Sequence, residues 1–161
     1  MTIKEGDKLP EATVRYMTDD GPKAVTTSEF FQGKKVALFS VPGAFTPTCS
    51  AQHLPGFVEH ADVIKSKGVD VIACIAVNDA FVMDAWGKDR DVGDKIVMLA
   101  DGNGDLTNQL GLELDGSGFG LGSRGQRFSM IVDDCTVTNL NIEAPGAFEV
   151  SKAEVIIDQL K

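Results

Sequence analysis

The chain has 161 residues, 43% of them hydrophobic, and its 24 acidic and 15 basic residues give a formal net charge of -9. A chain of this length can bury one ordinary core, so we expect residues 1–161 to form a single domain. Its acidity disfavours nucleic acid and anionic membrane surfaces as partners. The longest apolar run, Val71 to Val77, is also far shorter than the roughly 20 residues that a membrane-spanning helix needs.

The three cysteines, Cys49, Cys74 and Cys135, are an odd number and are widely spaced. This pattern does not suit the disulfide framework of a secreted protein and favours a reducing compartment. The N-terminus has no apolar signal core, so we expect a cytoplasmic location. His53 and His60 do not combine with the cysteines in a zinc-binding spacing, so we expect no metal.

The first half of the chain predicts strands that alternate with helices. Asp19-Asp20-Gly21-Pro22 predicts a hairpin tip, and a helical turn at 27–33 is expected to be capped by Thr27 or Ser28. Further strands are predicted at 36–41, 69–77 and 96–100, and further helices at 49–68 and 80–87, the last capped by Asn78 or Asp79. This alternation predicts an α/β fold built on βαβ units.

The helix predicted after Cys49 contains an interruption. Apolar side chains recur there at intervals of three and four residues, which predicts one face against a core. Pro55-Gly56 is expected to kink or split this helix, because proline lacks an N–H and clashes with the preceding turn. The turn that carries Cys49 is therefore expected to be aimed separately from the rest.

The second half predicts a turn, a loop, a hairpin and a last helix. Asp101 to Asp105 resembles a calcium loop but has leucine at two required positions, so we favour a turn into a helix at 106–110. The glycine-rich segment 116–122 does not fit a phosphate-binding pattern and predicts a mobile loop. Antiparallel strands are predicted at 127–132 and 137–142, and Ser151-Lys152-Ala153-Glu154 predicts a capping box before the last helix.

Cys49 has the sequence context of a reactive cysteine. It lies where a strand leads into a helix, and the free N–H groups and dipole of a helix start favour a thiolate. The hydroxyl of Thr46 lies three residues earlier. The alternative is that Cys49 is a small buried apolar residue.

The other candidate groups have weaker contexts. Cys74 lies in a predicted buried strand and is interpreted as packing, while Cys135 follows two aspartates and is expected to be an exposed, slow thiol. His53 either assists Cys49 as a cation or serves to cap or pack. The charge of Arg127 serves either a thiolate or a surface ion pair.

A family resemblance decides between the alternatives for Cys49 and Arg127. The run from Val41 to Cys49, VPGAFTPTC, resembles the active-site signature P-x-x-x-T-x-x-C of the peroxiredoxins, in the form typical of the type five or type II branch. HLPGF from His53, AVNDAFVM from Ala76 and RFSM from Arg127 resemble further stretches of that branch in the same order. The resemblance implies a thioredoxin-like fold with a central mixed β-sheet flanked by helices.

The resemblance also implies the roles of the site residues. Cys49 would be the peroxidatic cysteine, Thr46 would offer its hydroxyl, Arg127 would complete the site and Pro42 would shield the pocket. Donors fixed before the reaction suit a step in which negative charge moves onto a departing oxygen.

The expected activity is reduction of hydrogen peroxide and organic hydroperoxides, with no cofactor beyond thiols. Many members of the branch carry a second cysteine near the C-terminus, where this chain has Ala147 to Ser151 and none. The resemblance therefore favours recycling by glutathione and glutaredoxin, or by thioredoxin, unless Cys74 or Cys135 resolves Cys49. It also implies a homodimer. The alternative function is a redox sensor or holdase that responds to oxidation of Cys49.

Overall fold

The computed structural model describes residues 2–160, in which short strands alternate with short helices. The strands are β1 (Thr13–Thr18), β2 (Gly21–Thr26), β3 (Lys35–Ser40), β4 (Val71–Ala76), β5 (Val97–Ala100), β6 (Glu113–Asp115), β7 (Ser123–Gly125), β8 (Phe128–Asp133) and β9 (Thr136–Ile142). The helices are α1 (Thr27–Phe31), α2 (Leu54–Glu59), α3 (Ala61–Ser66), α4 (Ala80–Asp89), α5 (Asp105–Leu110) and α6 (Ala153–Gln159), with a π-helical turn at Cys49–His53 and a 3-10 turn at Ser117–Phe119. None of the helices within residues 2–160 has the length and apolar character needed to cross a membrane.

A seven-stranded mixed sheet in the order β2-β1-β5-β4-β3-β8-β9 forms the centre of the fold. The middle strands β3, β4 and β5 are parallel, and the outer strands pair antiparallel. β6 and β7 form a separate hairpin that encloses the segment predicted as a mobile loop. The predicted α/β fold with a central mixed sheet is confirmed.

Two apolar cores cover the sheet, and alternate residues of β4 divide between them. Ile72 and Cys74 belong to one core, while Ala73 and Ile75 belong to the other. Side chains alternate in direction along a strand, so a strand covered on both faces is apolar throughout. This is why the apolar run that predicted β4 is continuous. The core that contains Cys74 also contains Cys49.

The cap of α1 differs from the prediction. Thr26 is the N-cap, and its hydroxyl accepts from the N–H of Glu29 while the Glu29 carboxylate accepts from the N–H of Thr26. The predicted caps, Thr27 and Ser28, were wrong because their hydroxyls have other partners. Thr27, for example, donates to the carbonyl of Ala12 on the neighbouring chain segment.

The helix after Cys49 is divided at two places. The π-helical turn Cys49–His53 comes first, and the N–H of Leu54 donates to the carbonyl of Cys49 in the wider π pattern. Pro55 follows in the first turn of α2 and donates no backbone hydrogen bond to the preceding turn. The second break is at His60, between α2 and α3. The predicted interruption is confirmed, and its effect falls before Pro55 as a widened turn around Cys49.

Candidate active site

The loop after β3 is held by a residue that follows the neighbouring strand. The N–H of Ala44 donates to the side-chain oxygen of Asn78 at 2.9 Å. Asn78 follows β4, and the next residue, Asp79, caps α4. Phe45 adopts a left-handed conformation with φ of 67° and is 51% exposed. The chain therefore turns sharply before Cys49 and is fixed to the carboxyl end of the parallel sheet.

The sulfur of Cys49 is buried and faces two hydrogen-bond donors. The side chain has 0% exposure. Thr46 Oγ1 lies 2.8 Å from Cys49 Sγ, and Arg127 Nη2 donates to the same sulfur at 3.1 Å. Arg127 precedes β8, which pairs with β3, so the sheet brings together residues that are 78 positions apart. A fixed guanidinium and a hydroxyl therefore converge on one sulfur.

The hydroxyl of Thr46 has one proton for two acceptors. Its oxygen lies 2.8 Å from Cys49 Sγ and 2.7 Å from the carbonyl oxygen of Gly43. It therefore donates to only one of them at a time. While the proton is on the Gly43 side, the Thr46 oxygen can accept a hydrogen bond from an incoming O–H group.

The structure places Pro42 on the same loop and adds a second arginine beside it. Arg124 Nη1 donates to the carbonyl of Pro42 at 3.4 Å, and Arg124 Nε donates to the carbonyl of Leu121 at 2.9 Å. A Cβ added to Gly43 would lie 2.9 Å from Arg124 Nη1 and would push the end of the arginine side chain aside. Sequence reasoning missed Arg124, because no local sequence pattern indicated that β7 would pack beside the loop after β3.

His53 accepts a hydrogen bond from the other terminal nitrogen of the Arg127 guanidinium. Arg127 Nη1 lies 2.8 Å from His53 Nδ1, and His53 Nε2 lies 3.0 Å from the carbonyl oxygen of Ser151. Arginine can only donate, so Nδ1 is the acceptor and Nε2 carries the proton that Ser151 accepts. Burial, with the charge of Arg127, lowers the pKa of His53 to about 3. His53 is therefore neutral, and the interpretation of it as an assisting cation was wrong.

The backbone segment that carries the Ser151 carbonyl is held by a buried carboxylate. Glu143 Oε2 accepts from the N–H groups of Glu149, Val150 and Ser151 at 2.8, 2.9 and 2.8 Å, and from the Ser151 hydroxyl at 2.6 Å. Burial raises the pKa of Glu143, but these hydrogen bonds outweigh it and the pKa is lowered overall. The predicted capping box at Ser151 was wrong: Lys152 is the N-cap of α6 and makes no side-chain cap.

Cys74 lies close to the site but has no polar partner like those of Cys49. It is opposite Phe39 in the pairing of β4 with β3 and has 0% exposure. Burial, reinforced by nearby Cys49, raises the pKa of the Cys74 thiol well above its ordinary value. The thiol form is therefore stable, in agreement with the packing interpretation.

Cys135 lies at the opposite end of the sheet. It is in the turn between β8 and β9, next to the pairing of Asp133 with the first residue of β3, whereas Cys49 lies beyond the loop that follows the last residue of β3. Partial burial and the charge of Asp134 raise the pKa of Cys135. At about 3.3 Å per residue, β3 alone separates the two cysteines by about 17 Å, well beyond the roughly 7 Å that a disulfide spans between Cα atoms.

A large cavity among residues 2–160 is distinct from this cluster. A cavity of about 900 Å³ is lined by Val71 and Val97, the first residues of β4 and β5. It therefore lies at the amino ends of these strands, away from Cys49. No three His, Cys, Asp or Glu side chains in the described residues are grouped so that they could hold a metal ion.

Comparison with known families and curated proteins gives a consistent result. The family model described as Redoxin matches residues 4–157. Peroxiredoxin-2E, chloroplastic, of Arabidopsis thaliana is 51% identical over 163 residues, covering 99% of this chain and 70% of the relative. Peroxiredoxin-2B of the same plant is 48% identical over 159 residues, covering 98% of each chain.

Solved structures show the same similarity in three dimensions. Reduced Prx3 of Vibrio vulnificus in complex with hydrogen peroxide superposes with a TM-score of 0.96 at 53% identity, covering 99% of this chain and 100% of the other. Peroxiredoxin 5 of Alvinella pompejana superposes with a TM-score of 0.87 at 37% identity, covering 98% and 97%. The matched regions include the whole cluster around Cys49.

Proposed function

The chain belongs to the peroxiredoxin family of thiol peroxidases, and we propose that Cys49 is the cysteine that reacts with the peroxide. The enzyme reduces peroxides and uses thiols as reductants. The observation that carries the proposal for Cys49 is the geometry at its buried sulfur, which lies 2.8 Å from Thr46 Oγ1 and 3.1 Å from Arg127 Nη2. Neither Cys74 nor Cys135 has such donors among its hydrogen bonds within residues 2–160.

In the proposed first step, the Cys49 thiolate attacks the terminal oxygen of a hydroperoxide. An S–O bond forms, the O–O bond breaks, and its electron pair leaves with the alkoxide or hydroxide, which takes up a proton. Arg127 and Thr46 would stabilise the charge that moves onto the departing oxygen. The products are a sulfenic acid on Cys49 and an alcohol or water. We assign Pro42 to shielding the sulfur from solvent.

We propose that the sulfenic acid is reduced by a thiol from outside the chain. The external thiol displaces water and forms a mixed disulfide with Cys49, and a second thiol releases the Cys49 thiol. Cys74 is buried as a stable thiol and Cys135 lies at the far end of the sheet, which supports a mechanism with one reactive cysteine. Glutathione with glutaredoxin is the reductant we propose, with thioredoxin as the alternative, and hydrogen peroxide and alkyl hydroperoxides are the proposed substrates.

We propose that residues 1–161 form one domain and that the protein works as a cytoplasmic homodimer. Phe45, Phe81 and Phe119 are 51%, 66% and 88% exposed, and aromatic side chains are enriched at protein–protein interfaces. Three free cysteines in the described residues suit a reducing compartment.

Intact-mass spectrometry of the reduced protein after one equivalent of hydrogen peroxide tests this mechanism. We expect the mass to rise by one oxygen, glutathione to convert that species into a mixed disulfide, and Cys49→Ser to show neither change and no peroxidase turnover. Turnover that survives Cys49→Ser would contradict the role of Cys49. Loss of two hydrogens within one chain would show that Cys74 or Cys135 resolves the sulfenic acid. A single oxidation without recycling by glutathione, glutaredoxin or thioredoxin would favour a sensor.

A further inference from the structure

The segment from Glu143 to Lys152, here called the C-terminal strap, reaches the back of the active site. Within it, the Glu143 carboxylate accepts hydrogen bonds from three backbone N–H groups and from the Ser151 hydroxyl. The carbonyl of Ser151 then receives the hydrogen bond from His53, 98 positions earlier in the chain. The backbone of Glu143 is also anchored, because its N–H donates to the carbonyl of Arg127 at 3.0 Å. The strap is thus attached to Arg127 at its beginning and to His53 near its end.

The contact between His53 and Arg127 determines where the arginine points. The guanidinium is a planar, rigid fork. With Nη1 held 2.8 Å from His53 Nδ1, Nη2 falls 3.1 Å from Cys49 Sγ. Moving the ring of His53 would therefore move the donor away from the sulfur.

A neutral acceptor leaves the charge of Arg127 available to the sulfur. No carboxylate within residues 2–160 makes an ion pair with Arg127; the ion pairs found there are Lys4–Asp7, Lys88–Asp84 and Arg90–Asp89. A carboxylate in the place of His53 would orient the guanidinium equally well but would offset its charge. His53 orients Arg127 and leaves the positive charge of the guanidinium available to the sulfur.

The strap also covers this contact from the outside. The Phe148 ring lies edge-on to His53 with centroids 5.0 Å apart, and its centroid is 5.8 Å from Arg127 Cζ. An aromatic ring in this place limits the access of water to the hydrogen bond and keeps it strong. The segment has no cysteine, and it contacts the site through a ring and a carbonyl instead.

We propose that Glu143 and His53 are positioning residues for Arg127, with the Glu143 carboxylate fixing the Ser151 carbonyl, the carbonyl fixing His53, and His53 aiming the guanidinium at Cys49. The inference rests on the proposed role of Cys49 and extends it. It makes peroxide reactivity depend on a carboxylate that touches neither the sulfur nor Arg127 with its side chain.

The test compares Glu143→Gln with Asp101→Asn. Asp101 is also a buried carboxylate that accepts two backbone N–H groups, from Leu106 and Thr107, but it makes no hydrogen bond to His53 or Arg127. Each variant is assayed for its melting temperature, for the rate of Cys49 oxidation by hydrogen peroxide, and for the pH profile of iodoacetamide alkylation. We expect Glu143→Gln to slow oxidation about ten- to a hundredfold, as for a displaced reacting group, and to move the alkylation profile to higher pH. Asp101→Asn should change only the melting temperature.

A second pair of variants covers the case in which Glu143→Gln does not fold. His53→Gln can place an amide oxygen toward Arg127 and an amide N–H toward Ser151, whereas His53→Leu can do neither. We expect His53→Gln to retain much more of the oxidation rate than His53→Leu. Equal rates in this pair, or unchanged oxidation and alkylation in a folded Glu143→Gln, would overturn the positioning role. Turnover in Cys49→Ser, measured in parallel, would overturn the proposed function instead.

Discussion

Cys49 and Cys74 are both fully buried and belong to the same apolar core, yet in the part of the chain that the structure describes only Cys49 of the two meets side-chain hydrogen-bond donors. Cys74 lies in the middle of β4 opposite Phe39, and burial raises its pKa. Cys49 lies at the start of a helix and meets the side chains of Thr46 and Arg127. Burial by itself therefore does not determine what a cysteine does. The hydrogen-bond donors that reach the sulfur matter as well, and a hydrogen bond is stronger in a buried site than in water.

The largest effect should come from removing the guanidinium, which would make the surroundings of Cys49 more like those of Cys74. We expect Arg127→Met to lower the rate of peroxide reduction about 10²- to 10³-fold, as for loss of one preorganised donor. Arg127→Lys should recover part of this rate because it keeps the charge but loses the fork. Rapid-mixing kinetics with hydrogen peroxide measure the rates, with Arg90→Met, at an exposed arginine, as control. A normal rate in folded Arg127→Met would remove Arg127 from the mechanism.

A smaller effect should follow from removing the hydroxyl. Thr46→Val keeps the shape of the side chain, and we expect a loss of about tenfold to a hundredfold, since an unpaired buried polar group costs about 1–3 kcal/mol. Thr46→Ser keeps the hydroxyl and should stay close to the native rate. The same kinetic assay applies. A native rate in folded Thr46→Val would show that the hydroxyl is not needed, and a slow Thr46→Ser beside it would assign the effect to packing of the methyl group.

The smallest effect on activity should come from changing Cys74. Cys74→Ala should reduce peroxide at the native rate and lose about 1–2 kcal/mol of unfolding free energy, because it leaves a small cavity. In the native protein, iodoacetamide near neutral pH should label Cys49 and leave Cys74 unlabelled, since the raised pKa keeps Cys74 as a thiol. Mass spectrometry of peptides and a denaturant titration measure these outcomes. Normal oxidation but failed recycling in Cys74→Ala would identify Cys74 as a resolving thiol.

Local features of the sequence predicted much of the fold. The apolar run around Cys74 predicted a strand covered on both faces, and the interruption near Pro55 predicted that Cys49 would sit in a turn apart from the following helix. Both follow from residues that are neighbours in the chain. The predictions for helix caps succeeded only in part: Asp79 caps α4 as predicted, but two other predicted caps were wrong. Thr27 and Ser151 have the right residue types, but each hydroxyl bonds a group elsewhere in the chain, namely Ala12 and Glu143.

The sequence by itself predicted the nucleophile: Cys49 lies at a strand-to-helix junction, within a motif that also contains Pro42 and Thr46 and resembles the peroxiredoxin signature. The tertiary structure alone decided how Arg127 is aimed and that His53 is neutral. These depend on contacts between residues 74 and 98 positions apart and on the burial of one imidazole ring. A residue's type defines which hydrogen bonds it can make, but only the folded chain selects its partners and removes the water that would otherwise compete for them.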